Sequence, residues 1–158
     1  MPPAARSSAG ATLAAVLLLS ACSGGGSSGS ASSGHAGTSR AQYVAQATHI
    51  CQAYQRRIGS LKSSTDLTQL AAQGARAVAL EAAELRQLRA LTPPAADRAA
   101  ITRMLAGLQA AIATGGKLVS DASSGDAAAV SADAANLQSQ LVATTRLAKP
   151  FGLDICAR

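Results

Sequence analysis

Thr65 to Pro94 reads TDLTQLAAQGARAVALEAAELRQLRALTPP, and this stretch decides the fold. Leu67, Leu70, Gly74, Val78, Leu85, Leu88 and Leu91 fall on the three-and-four spacing that marks one face of an α-helix. Ala and Leu, the strongest helix formers, fill much of the rest. Asp66 brings negative charge to the start, where the helix dipole favours it. Thr92-Pro93-Pro94 ends the run, because a residue before proline is pushed out of the helical region. The stretch therefore predicts a helix from about Thr65 to Leu91. Glu81, Glu84, Arg86 and Arg89 are expected mainly on its other face.

The same reading extends outward. Before it, Tyr43, Ala47, Ile50, Tyr54 and Ile58 form one apolar stripe, predicting a first helix from about Arg40 to Gly59 with Thr38 or Ser39 as its cap. After it, Pro94 suits the first turn of a third helix, with Asp97 in that turn. Ile101, Met104, Leu105, Leu108 and Ile112 make its stripe. Gly115-Gly116 weakens it by about 1 kcal/mol per glycine relative to alanine, and continuation through Leu118 and Val119 is the preferred reading over a stop. Ser123 to Asp126 is a turn and cap. A fourth helix then runs to about Lys149 with Val130, Ala134, Leu137, Leu141 and Ala148 inward, and Pro150 stops it. Phe151 to Arg158 reads as a nonhelical tail. β-branched residues are sparse, so strands are disfavoured. Short loops join antiparallel neighbours, and the expected fold is all-α, an antiparallel up-down-up-down four-helix bundle.

The amino terminus is a different kind of sequence. Arg6 and the free amine supply positive charge, Ala11 to Leu19 is apolar, and small residues follow, the three parts of a secretory signal. A run of about nine largely apolar residues is too short for a spanning helix, which needs roughly 20. Leu19-Ser20-Ala21-Cys22 resembles a bacterial lipobox. The resemblance implies removal of residues 1–21, a diacylglyceryl group on the Cys22 thiol, and a mature chain held at the extracytoplasmic face of the cell membrane. An ordinary signal peptide with an incidental Cys22 is the alternative. Ser23 to Ser39 is almost entirely Gly, Ser and Ala, a flexible leash by composition. The domain boundaries are thus 1–21, 22–39 and 40–158.

Three cysteines leave an odd thiol in a secreted chain. Lipidation of Cys22 would leave Cys51 and Cys156 as a pair. Cys51 lies roughly 16 Å along the first helix, and the seven residues from Lys149 to Cys156 span at most about 23–25 Å. The tail can therefore fold back to form a disulfide, with Phe151, Leu153 and Ile155 pressed into the seam between first and last helices. Two free buried thiols are the alternative.

Tyr43 and Cys51 in a first helix, Leu91-Thr92-Pro93-Pro94 between helices, and Phe151-Gly152-Leu153 before Cys156 together resemble small lipoproteins of actinobacterial type. The likeness covers about Arg40 to Ala157 and implies architecture and location only.

Chemistry-bearing motifs are thin. His49 lies two residues from Cys51, and residues two apart on a helix do not face each other, so a Cys–His nucleophile is disfavoured. Glu81 and Glu84 are three apart but no histidine stands near them in sequence, which disfavours a di-iron site. His49 and Met104 are the candidate haem ligands, with packing the simpler role for Met104. His35 falls in the leash. Gly115-Gly116-Lys117 lacks the surroundings of a phosphate loop, and Arg56-Arg57 reads as an exposed helix end that can hold an anion. No catalytic, metal or cofactor residue is assigned. With Arg6 removed, 13 basic residues face 8 acidic ones, a net charge of about +5. The scatter of that charge, the absence of Trp, a single Phe and two Tyr disfavour nucleic acid. The expected function is noncatalytic: binding of an envelope protein or cell-wall polymer. The alternatives are carriage of a small apolar ligand, lipid or haem, between the helices, and an enzyme whose site would show only as a polar cleft with convergent ionisable side chains.

Overall fold

The computed structural model describes residues 38–157. The signal segment, Cys22, the leash and His35 lie outside the described residues. The domain is a four-helix bundle: α1 Arg40–Ile58, α2 Leu67–Ala90, α3 Arg98–Ser124 and α4 Ala127–Ala148. Two short 3-10 turns follow, Lys149–Phe151 and Asp154–Ala157. No strand occurs among the described residues.

Three of the four helices start where a side chain satisfies an orphan backbone donor, α3 being the exception. Ser39 caps α1 through a reciprocal box: its Oγ accepts from the Gln42 amide at 3.2 Å, and its own amide donates to Gln42 Oε1 at 3.0 Å. Asp66 accepts from the Gln69 amide at 2.8 Å, so it stands before α2 rather than within it. Asp126 does the same for α4 through Ala129 at 2.9 Å. The third helix begins later than its proline suggests. Pro94 sits in a turn closed by the Asp97 amide on the Pro94 carbonyl at 3.0 Å, and α3 starts at Arg98. Gly125, at φ 77°, ends α3 in the left-handed conformation that glycine adopts without strain.

Consecutive helices pack on one another, and the carboxyl-terminal 3-10 turn packs on both α1 and α4. The α2–α3 pair runs in opposite senses, since Gly74 meets Val119 while Gly115 meets Val78. The α3–α4 pair does too: Gly107 lies on Thr144, and Thr114 donates to Gln140 at 3.1 Å.

The continuous α3 has a packing reason. A methyl group built at Gly115 would lie 3.3 Å from Val78 Cγ2, so the missing side chain lets α2 approach. Gly116 meets nothing within 4 Å. Gly107 is tighter still, since an added Cβ would fall 2.5 Å from Oγ1 of buried Thr144. Opposite effects are expected. Gly116→Ala should stabilise by up to about 1 kcal/mol, whereas Gly107→Ala should destabilise by about 1–2 kcal/mol through overpacking. Urea titration of both variants checks the signs.

The core contains Tyr43, Ala47 and Cys51 from α1, Leu85 and Leu88 from α2, Ile101, Met104 and Leu108 from α3, and Ala148 from α4. Phe151, Leu153, Cys156 and Ala157 of the tail join it. The tail is therefore part of the core, coiled into 3-10 turns rather than nonhelical. Gly152, at φ 68°, makes the reversal between the turns. Two side-chain placements differ from the sequence reading. Ala134 is exposed, because the buried line of α4 passes through Asp133, Leu137 and Thr144. Glu84 is on the core side of α2, 5% exposed, and Glu81 is half-buried.

Candidate functional site: a buried carboxylate beside the disulfide

Cys51 and Cys156 are joined, with Sγ–Sγ 2.02 Å and Cα–Cα 5.0 Å. Cys51 is fully buried and Cys156 is 4% exposed. The bridge ties the middle of α1 to the last turn of the tail, as the reach argument requires. His49, exposed on α1, turns away from the core that holds Cys51.

On the other side of the bridge stands Glu84. Its carboxylate and both cysteine sulfurs lie within 4.8 Å of one another. Its Oε1 is buried and has no hydrogen-bond partner. Burial, reinforced by the neighbouring Glu81 charge, pushes the Glu84 carboxyl up to about 8. Burial also raises Glu81. The two acids are three residues apart on one helix, so they share a face and repel when both are ionised.

These groups surround a cavity of about 30 Å³ lined by Gln55, Glu81, Glu84, Leu108, Ile112 and Cys156, among others. Its size suits one or two waters, for which about 10–15 Å³ each is enough. No lysine or arginine lines it.

A second feature lies at the end of the bundle where the chain enters α1. Arg40 gathers that end. Its Nε is 3.6 Å from Asp97 at the head of α3, its Nη2 donates to the Pro150 carbonyl at 2.8 Å, and its guanidinium covers the Phe151 ring at 4.8 Å. Close by, an open groove of about 370 Å³ has Leu91, Pro93, Ile101 and Leu105 as its apolar surface and Arg89 and Arg98 on its walls. Arg89 donates to Gln109. Tyr43 also lines the groove, and its hydroxyl is buried with no hydrogen-bond partner.

The remaining sequence candidates take ordinary places. Met104 is fully buried in the core cluster while His49 is at the surface. Arg56 and Arg57 are exposed, with the Arg57 guanidinium over the Tyr54 ring at 5.4 Å. Gly115 and Gly116 are helix interior, and Lys117 pairs with Asp133 at 3.2 Å.

Glu84 carried a readable signal. Gly74, Val78, Glu81, Leu85 and Leu88 keep the three-and-four spacing without a break, which puts Glu81 on the inward stripe and Glu84 at its edge. Its acidic character argued for solvent, and the packing of α3 and the tail against that face overrides the argument. Arg40, Arg89 and Arg98 carry no motif that distinguishes them from other surface arginines.

Comparison with family models, with curated proteins and with solved structures gives no match for this chain. The fold and site define a disulfide-stapled four-helix bundle with a buried acidic cavity and a basic-walled surface groove. No helix among the described residues is long and apolar enough to cross a membrane.

Proposed function

We propose that this chain is a lipid-anchored, extracytoplasmic binding module of the cell envelope, noncatalytic, which holds an anionic and partly apolar envelope component in the groove walled by Arg89 and Arg98. The observation that carries this reading is the groove itself: Arg89 and Arg98 line it together with Leu91, Pro93, Ile101 and Leu105, at the end of the bundle where the chain enters α1. Arginine forks suit phosphate and carboxylate, and the apolar floor suits the adjoining hydrocarbon. A lipobox at Leu19-Ser20-Ala21-Cys22 and a Gly/Ser leash would keep that end within reach of a membrane surface. The carrier alternative is less well supported, because the interior cavity of about 30 Å³ is an order of magnitude below the ~300 Å³ of ordinary ligand pockets.

Two measurements test the reading. Intact mass of the protein recovered from its native membranes should show Cys22 diacylglycerylated, and Cys22→Ala should release the protein from the membrane fraction. A native protein without acyl mass removes the anchor. For the groove, the Cys22→Ala form should bind vesicles containing phosphatidylglycerol and not vesicles of phosphatidylcholine alone. Each basic residue at an anionic surface is worth about 1 kcal/mol, so Arg89→Ala with Arg98→Ala should weaken binding roughly 30-fold. Equal binding by the double variant, or no preference for the anionic lipid, removes the groove.

A further inference from the structure

The acidic group beside the bridge takes no part in the groove. We propose that the sulfurs of Cys51 and Cys156, once reduced, form with the Glu84 carboxylate a binding site for a thiophilic divalent cation such as Zn²⁺, with water in the neighbouring cavity as fourth ligand. The disulfide and the metal complex are then alternative states of the same two sulfurs.

The geometry carries this in three ways. All three ligand atoms lie within 4.8 Å of one another. A tetrahedral ion with sulfur at about 2.3 Å and oxygen at about 2.0–2.2 Å needs ligand atoms roughly 3.5–3.8 Å apart. The sulfurs, 2.02 Å apart in the bridge, must therefore separate, a movement that side-chain torsions supply once the bond is reduced. The Cα atoms are 5.0 Å apart, so the backbone already brings both cysteines to one ion. Second, Glu84 Oε1 is buried without a partner, an acceptor held in the core beside sulfur. Third, the cavity of about 30 Å³ touches both Cys156 and Glu84 and has room for the water. Two thiolates and one carboxylate with an open fourth position are a ligand set for zinc or cadmium. Calcium and magnesium require an all-oxygen shell, which two sulfur ligands do not supply.

The chemistry balances simply. A dithiol attacks the bridge, passes two electrons and two protons to the two cysteines, and leaves as its own cyclic disulfide. The cation then displaces both thiol protons to solvent, together with the Glu84 proton where that group is neutral. A small-molecule disulfide reverses the step: it takes the two electrons from the metal-bound thiolates and two protons from solvent, leaves as its two thiols, and the Cys51–Cys156 bond re-forms with release of the cation.

The Cys22→Ala full chain has only these two thiols, so its behaviour is independent of the anchor. It is reduced without oxygen by a water-soluble phosphine, which takes an oxygen atom from water and binds zinc poorly. Cobalt(II) serves as the probe. The expected result is one cobalt per chain, with sulfur-to-cobalt charge-transfer bands and the intense visible bands of a tetrahedral ion, displaced by stoichiometric zinc and not by magnesium. The oxidised chain should give none of these. Glu84→Gln keeps the shape and should weaken metal binding at least 10-fold, since even outer-sphere partners of a ligand are worth 10–100-fold. Circular dichroism follows the helices throughout. The proposal is overturned by an identical cobalt spectrum in the oxidised chain, or by a folded reduced chain that takes up no metal. Unchanged affinity in Glu84→Gln also overturns it. A reduced chain that loses its helices supports the proposal if zinc restores them and overturns it if zinc does not.

Discussion

Reduction of the Cys51–Cys156 bridge should lower the melting temperature of the domain by roughly 15–25 °C while leaving its helices intact at low temperature. The bridge spans 105 residues of sequence, nearly the whole described domain. Cross-linking so long a loop removes unfolded-state freedom worth up to about 4.7 kcal/mol in the chain-entropy model. For a domain of this size each kcal/mol moves the midpoint by roughly 4–5 °C. The folded side of the balance changes less. Leu153 is fully buried and Phe151 nearly so, Arg40 stacks on the Phe151 ring, and the Thr145 hydroxyl donates to the Ala157 carbonyl at 2.9 Å. These contacts hold the tail in the seam without the sulfur–sulfur bond. The check is a pair of thermal melts by circular dichroism on the Cys22→Ala chain, with and without a phosphine reductant and with a chelator present. A shift under about 5 °C would mean that the bridge merely decorates a tail already fixed by packing. Loss of helicity at 10 °C on reduction would mean that packing contributes less than the burial of Leu153 indicates.

The helices were legible because their periodicity is strong and their ends are chemically marked. Asp66, Asp126 and Ser39 each act as a cap, and the Pro93-Pro94 pair separates α2 from α3. The cysteine pairing followed from chain reach. Boundaries failed where a local rule met a tertiary contact. Proline is favoured at a helix start, yet the turn closed at Asp97 delays α3 to Arg98. In α4, Val130, Leu137, Leu141 and Ala148 face inward as expected and Ala134 alone does not, because a sequence rich in Ala and Ser on every side lets periodicity separate Ala134 from Thr144 only weakly. Thr144 is inward because its hydroxyl bonds the Gln140 carbonyl at 2.8 Å and needs no other partner. The candidate site was less legible than the fold. Its members come from the middle of α1, the last third of α2 and the tail, and nothing local to Glu84 announces that Cys156 returns to meet it.

Glu84 should also make the protein less stable as pH rises, which is the reverse of the usual behaviour of a salt-bridged carboxylate. Its carboxyl in the folded chain is raised from the ordinary value of 4.5 to about 8, while in the unfolded chain it ionises at the ordinary value. Between those two pH values the folded chain holds a proton that the unfolded chain has released. Unfolding stability must then fall with pH across that window, by up to about 1.4 kcal/mol per unit. Below the window both states are protonated and the effect is absent; above it both are ionised and the full cost remains. Glu81 is shifted in the same direction by its own burial and adds to the trend. Solvent screening reduces the full value, so about 2–4 kcal/mol across the window is the expected size. Glu84→Gln removes the ionisation while keeping the volume. The variant should match the parent near pH 4.5, exceed it by about 2–4 kcal/mol at pH 8, and show a much flatter profile between. Urea unfolding of both oxidised proteins over that range, with a chelator present, measures the difference directly. A parent and variant with parallel profiles would place the Glu84 carboxylate in contact with bulk water or with a cation, and the buried acidic cavity would have to be abandoned.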